Sequence, residues 1–179
     1  DMSEELEEIL RRLEEESRRH LRTDEELLRE LEEKIRRLLR EIEEILERLK
    51  KRIDEVKTRN TSEETIKKLI EDAKRVLEEI EEKVKRLVDE AREVLDTSRK
   101  TLRELVEKMR ETLDRARKRN SAEERVLKRV KDRIDELIRR NEESLERTRD
   151  EIRKLIEELK KVLDRVKEEI EKLVEALKK

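Results

Sequence analysis

Few residues in this chain offer chemistry beyond charge. It contains one histidine, His20, and Asp24 follows four places later. On a helix that spacing sets both side chains on one face. The pair has the makings of an acid–base couple or two ligands for a cation. A stable zinc site usually takes at least three protein ligands, and the chain has no second histidine and no cysteine. With 53 aspartates and glutamates present, a carboxylate four residues from a histidine carries little information. The expectation is no catalytic residue, no metal and no cofactor. A pH effect is the more natural consequence. A buried imidazole is penalised for charging, whereas Asp24 favours the charged form, so the direction stays open.

Composition closes other classes. Of 179 residues, 51 are Lys or Arg and 53 are Asp or Glu, giving 58% charged residues and a net charge of −2. Gly, Pro, Cys, Trp, Tyr and Phe are all missing. Collagen-like and disulfide-stapled chains are excluded, as are glycine loops that cradle phosphate and aromatic platforms that stack bases. The two signs of charge are interspersed, with no basic stripe for nucleic acid. No apolar run approaches the roughly 18 residues of a membrane span. The opening residues, Asp1-Met2-Ser3-Glu4-Glu5, lack the basic and apolar regions of a secretory leader. No nucleic-acid, membrane, small-molecule or protein partner is expected, and localisation is left unspecified.

The elements that position His20 and Asp24 follow from periodicity. Only 32% of residues are hydrophobic, which alone is compatible with disorder. Their spacing excludes it: Leu27, Leu28, Leu31, Ile35, Leu38, Leu39, Ile42, Ile45, Leu46, Leu49, Ile53 and Val56 recur every three or four residues, as on an amphipathic helix. The same pattern runs through Ile66, Leu69, Ile70, Ala73, Val76, Leu77, Ile80 and through Leu127, Val130, Ile134, Leu137, Ile138. Two similar segments interrupt it, Arg59-Asn60-Thr61-Ser62-Glu63-Glu64 and Arg119-Asn120-Ser121-Ala122-Glu123-Glu124. Asn60 and Asn120 suit the left-handed residue that ends a helix. Thr61 with Glu64, and Ser121 with Glu124, have the spacing of capping boxes. These signals predict helices near 3–59, 62–119 and 122–178, each about 85 Å long at 1.5 Å per residue. Together they form one domain over 1–179. Thr23-Asp24-Glu25-Glu26 also fits a capping box, but Leu10 and Leu28, like Leu13 and Leu31, lie 18 apart. The helical phase passes through unbroken, so a continuous helix is expected.

The stripe repeats every 18 residues rather than every seven: Leu28 at Leu46, Leu31 at Leu49, Ile35 at Ile53, Ile66 at Val84 and Leu102, and Ile134 at Ile152 and Ile170. Eighteen residues in five turns is the 3.6 of an unstrained helix, whereas a sustained heptad imposes a supercoil. At 100° per residue the stripe spans about 120°, enough for two neighbours. The fold class is therefore all-α: an antiparallel up-down-up three-helix bundle with little twist. Opposite faces carry Glu-first pairs such as Glu7/Arg11, Glu14/Arg18 and Glu30/Lys34, each contributing about 0.2–0.5 kcal/mol.

The polar residues that break the stripe are the informative ones. Ser17 holds the phase of Ile35, His20 that of Leu38, and Asp24 that of Ile42. On the second helix Ser98 matches Ile80, and Thr101 borders the stripe beside Leu102. On the third, Asn141 matches Leu159, Ser144 matches Val162, and Thr148 matches Val130 and Val166. Folding at the turns places residue n opposite about 121 − n on helix two, which in turn pairs about 241 − n on helix three. His20 then lies level with Thr101 and with position 140, next to Asn141, and Asp24 with position 97, beside Ser98, and with Ser144. A buried hydrogen-bond network is expected, because an unsatisfied buried donor costs about 1–3 kcal/mol. Its benefit would be specificity, penalising helices that slip by a turn in a uniform aliphatic core. Thr112, without a level partner, is expected to bond a carbonyl one turn back.

The 18-residue Leu/Ile/Val repeat, the Glu/Lys/Arg surface, the near-identical loops and the single polar layer resemble computationally designed bundles of straight parametric helices. The resemblance covers the whole chain and is one of style rather than motif. It implies a very stable scaffold with a designed hydrogen-bond network and without evolved activity. A monomer is expected because the stripe of about 120° leaves no apolar surface over for association. Glycine-free loops depart from the usual design habit. Natural spectrin-like repeats are the nearest natural comparison, but they carry core aromatics and supercoil. Two functions stay open: a structural scaffold, or an interaction module within a larger helical assembly.

Overall fold

The computed structural model describes residues 4–59, 61–119 and 123–179. Three helices account for nearly all of them: α1 (Glu4–Thr58), α2 (Glu63–Arg119) and α3 (Glu124–Lys178). With no Gly or Pro inside them, nothing in the backbone chemistry interrupts these runs. Helix α1 continues through the Thr23 region, where the Thr23 hydroxyl donates back to the Arg19 carbonyl at 2.9 Å instead of capping a new helix.

Contacts divide the chain into two compact units, each containing part of every helix: Asp1–Arg29 with Arg92–Ile152, and Glu30–Ala91 with Arg153–Lys179. In the first, Glu5 pairs with Arg119 at 2.9 Å and Glu16 with Lys108 at 3.5 Å, so α1 and α2 run antiparallel. Arg133 reaches Glu14 at 2.5 Å and Asn141 reaches His20 at 2.9 Å, and because both numbers rise together α3 runs parallel to α1. In the second, Lys34–Glu90 at 2.8 Å, Lys83–Glu41, and Arg52–Asp72 at 2.9 Å join α1 to α2. Lys50–Glu169 at 3.7 Å joins α1 to α3, and Lys167–Glu81 at 3.8 Å joins α2 to α3. The five α1–α2 ion pairs share one register, their numbers summing to 124 against the expected 121. Long charged side chains reach diagonally, and the shorter Asp24–Ser98 contact gives 122.

Burial follows the 18-residue phase. Leu10, Leu28 and Leu46 are buried, as are Leu13, Leu31 and Leu49, and Ile134, Ile152 and Ile170. In the first unit Leu6, Leu10, Leu13, Leu105, Met109, Val130 and Ile134 belong to one apolar cluster. In the second, Ile80, Leu159, Ala73 and Ala91 are fully buried. No large hydrophobic side chain is exposed among the described residues.

The helix ends correct the expected capping. The Thr61 hydroxyl donates to the carbonyls of Val56 at 2.9 Å and Arg59 at 3.0 Å, so it closes α1 instead of opening α2. Ser62 opens α2: its carbonyl accepts the first helical bond from Ile66 at 3.2 Å, and its hydroxyl oxygen accepts the Thr65 amide at 3.4 Å. The cap therefore lies one residue later than Thr61, which moves Glu64 out of the position a capping box requires. At the second turn the Glu123 carbonyl accepts from Leu127 at 3.3 Å, making Glu124 the first helical residue rather than the third. Asn60, Asn120 and Ser121 lie outside the described residues.

Candidate functional site

A polar layer lies inside the first unit, built from α1 (Ser17, His20, Asp24), α2 (Ser98) and α3 (Asn141). All five side chains are buried, Asn141 completely. Each occupies a stripe position that one or two repeats later holds an aliphatic residue, so the amphipathic pattern that makes the helices also turns these groups inward.

The hydrogen bonds determine one another. The Asn141 amide nitrogen lies 2.7 Å from the Leu137 carbonyl oxygen, which can only accept, so the amide orientation is determined by chemistry. Its second hydrogen goes to Ser17 Oγ at 2.5 Å. That leaves Asn141 Oδ1 facing His20 Nδ1 at 2.9 Å, and because Oδ1 only accepts, Nδ1 must carry a hydrogen. On the other side of the ring, His20 Nε2 lies 3.4 Å from Ser98 Oγ and 3.6 Å from Asp24 Oδ2. Ser98 donates its hydroxyl hydrogen to Asp24 Oδ2 at 2.8 Å.

Burial pushes the Asp24 carboxyl above its ordinary value of 3.8, while the Ser98 hydrogen bond and the nearby imidazole pull in the opposite direction. A cleft of about 290 Å³ between α1 and α2 reaches this side of the layer, and its lining includes His20, Asp24, Ser98, Glu16 and Lys108.

Ser98, His20 and Asn141 stand in the order of a nucleophile, a base and the group that orients the base. The details differ from a working triad. The only hydrogen on Ser98 points to Asp24 at 2.8 Å, not to Nε2 at 3.4 Å, and the serine is only 2% exposed. As cation ligands, His20 and Asp24 stand without a third: no cluster of three or more His, Cys, Asp or Glu side chains with metal-binding geometry occurs among the described residues.

The remaining expected members are placed differently. Thr101 is exposed and donates to the Thr97 carbonyl at 3.0 Å, so it is not part of a buried network. It precedes Leu102, and one residue on a helix is a rotation of about 100°, enough to carry it off the stripe. Ser144 is half-buried and makes no hydrogen bond to the layer. Thr148 is buried but is likewise unconnected to it. Thr112 donates to the Lys108 carbonyl one turn back at 2.9 Å. One feature had no sequence signal: Arg149, on the edge of the stripe, buries its Nε without a hydrogen-bond partner.

Three helices with these contacts define a three-helix bundle. No protein-family model matches the chain. No curated protein matches it either. Among solved structures it is similar to one described as a computationally designed three helix bundle, with a TM-score of 0.51 and 16% identity, covering 97% of this chain and 86% of that one. At that identity the likeness concerns the fold.

Proposed function

We propose that the chain is a structural scaffold of designed origin, a monomer without catalysis, cofactor or ligand, in which a five-residue polar layer selects one alignment of three helices. The observation that carries this reading is the set of hydrogen bonds joining Ser17, His20, Asp24, Ser98 and Asn141, supplied by all three helices at one level. In an aliphatic core a shift by one turn exchanges one Leu or Ile contact for another. The same shift at this level would strand several buried polar groups, each at about 1–3 kcal/mol. Designed origin is supported by the 18-residue repeat, the absence of Gly, Pro and aromatic residues, and the fold it shares with the designed bundle.

Sedimentation equilibrium at micromolar concentration tests the reading. A single species of 22.0 kDa is expected. A dimer or larger species would overturn the monomeric scaffold and favour a module that associates through a helix face. The exposure of no large hydrophobic side chain among the described residues supports the monomer.

A further inference from the structure

The hydrogen bonds on the Asn141 side of the imidazole are fully assigned, whereas those on the other side depend on where one proton sits. With Nδ1–H already directed at Asn141 Oδ1, Nε2 is the ring's only remaining polar atom. It faces Ser98 Oγ at 3.4 Å and Asp24 Oδ2 at 3.6 Å. If the ring were neutral and Asp24 ionised, Ser98 would give its one hydrogen to the carboxylate. Nε2 would then face only lone pairs beside a buried negative charge. Adding one proton removes both defects.

We propose that His20 and Asp24 hold a single dissociable proton in common, relayed through the Ser98 hydroxyl, so that the buried layer is electrically neutral at neutral pH and acquires charge when that proton is lost.

Two arrangements give Nε2, Ser98 Oγ and Asp24 Oδ2 complementary partners. In one, imidazolium Nε2–H donates to Ser98 Oγ and Ser98 donates to the Asp24 carboxylate. In the other, the Asp24 carboxylic acid donates to Ser98 Oγ and Ser98 donates to neutral Nε2. Passing between them breaks the Nε2–H bond, forms a new Oγ–H bond, breaks the old Oγ–H bond and forms Oδ2–H. One proton is transferred and nothing external is consumed. The Ser98 Oγ–Asp24 Oδ2 distance of 2.8 Å makes one half of the relay a hydrogen bond already in place, and the 3.4 Å half is the longer one. The cleft between α1 and α2 gives the relay its exchange path to solvent.

Other charges around this proton come from each packed helix. On α1, Glu16 and Arg19 line the cleft with Asp24. On α2, Glu104 and Lys108 line it, and Lys108 pairs with Glu16 at 3.5 Å. The α3 residue against the ring is uncharged Asn141, while Arg133, Glu136 and Arg140 occupy the groove beside Ser17 on the other side. Within the cleft, then, mixed signs surround the Asp24 side without another buried carboxylate.

The test is nitrogen and carbon NMR of the labelled full chain at about pH 7.5, above the value near 6.5 at which free imidazole discharges. The chain has one histidine, so its ring resonances are unambiguous. Nδ1 should be protonated, together with either a protonated Nε2 beside an Asp24 carboxylate, or a bare Nε2 beside an Asp24 carboxylic acid. A bare Nε2 beside an ionised Asp24, or a ring protonated only on Nε2, would overturn the proposal. In Asp24→Asn the new amide supplies Nε2 with a hydrogen bond, and the ring should become neutral with its hydrogen on Nδ1; an imidazolium retained there would also overturn it. Ser98→Ala should lower the pH at which the shared-proton signature vanishes, and an unchanged value would contradict the relay. The parent spectrum decides the matter even if a variant fails to fold.

Discussion

His20 Nδ1 lies 2.9 Å from Asn141 Oδ1, across 121 residues of sequence. The contact ties α1 to α3 through two buried groups. Asn141 also donates to Ser17 Oγ and to the Leu137 carbonyl of its own helix, so one side chain holds two others and a backbone carbonyl.

Asn141→Leu restores the aliphatic residue that the helical phase supplies at Leu159, but it strands two polar groups, His20 Nδ1–H and Ser17 Oγ. Each stranded group costs about 1–3 kcal/mol. The expected result is a clear drop in the denaturant midpoint. Adding Ser17→Ala and His20→Leu should recover much of the loss, because the effects within one network are not additive.

Two threonines expected in the same network should respond differently from Asn141. Thr101 is exposed and bonded within its own helix, so Thr101→Ala should shift stability by no more than about 0.5 kcal/mol. Thr148 is buried without a bond to the layer, so Thr148→Val, which exchanges a hydroxyl for a methyl of similar size, should be neutral or stabilising. Equilibrium urea unfolding of both variants beside Asn141→Leu separates members of the network from bystanders.

The difference between these residues marks the limit of what sequence can convey. Ser17, His20, Asp24, Ser98 and Asn141 were legible because each replaces an aliphatic residue at a repeat of 18, so phase alone turns them inward. Thr101 was misread because level was allowed to outweigh phase: it is level with His20 but a third of a turn off the stripe. Helix number, order and approximate ends were legible from two matching polar breaks. The cap was not, since Thr61 and Ser62 are adjacent hydroxyl residues and only backbone geometry decides which one faces the next helix. The pairings of Asn141 also required coordinates, because an amide's choice between Ser17 and His20 depends on distances below the resolution of a helical wheel.

The Ser62 assignment has its own consequence. Ser62→Ala should destabilise by about 0.5–2 kcal/mol through loss of the N-cap, whereas Glu64→Ala, no longer part of a capping box, should be close to neutral. Amide exchange at Thr65, whose N–H meets the Ser62 hydroxyl, should accelerate in the first variant alone.

Ala91 is fully buried in the second unit and shares the helical phase of Ala73, also fully buried. Small side chains there leave no room for a larger one. Ala91→Leu should cost about 1–3 kcal/mol through overpacking, measurable as a lowered midpoint in thermal or denaturant unfolding.

Asp24 gives a pH dependence of definite sign. Burial, the dominant effect, raises its carboxyl above 3.8, so the folded chain retains a proton that the unfolded chain has already released. This contribution to stability is complete below 3.8 and is lost as pH rises through the folded value. Relative to Asp24→Asn, the parent should therefore gain stability on acidification from neutral pH toward 4, the reverse of a carboxylate stabilised by an ion pair. Denaturant midpoints of the two proteins at several pH values supply the comparison.

The most direct test of the polar layer's role concerns alignment rather than stability. The chain has no cysteine, so spin labels can be placed uniquely at positions 12 and 111, both exposed and on facing stretches of α1 and α2 in the first unit. Pulsed electron resonance then reads their distance distribution in the parent and in a variant carrying Ser17→Ile, His20→Leu, Asp24→Ile, Ser98→Ile and Asn141→Leu. The parent should give a single narrow distance, and the aliphatic variant a broadened or multiple one even if it resists denaturant better. An equally narrow, unshifted distribution in the aliphatic variant would contradict a layer that selects the alignment of the helices.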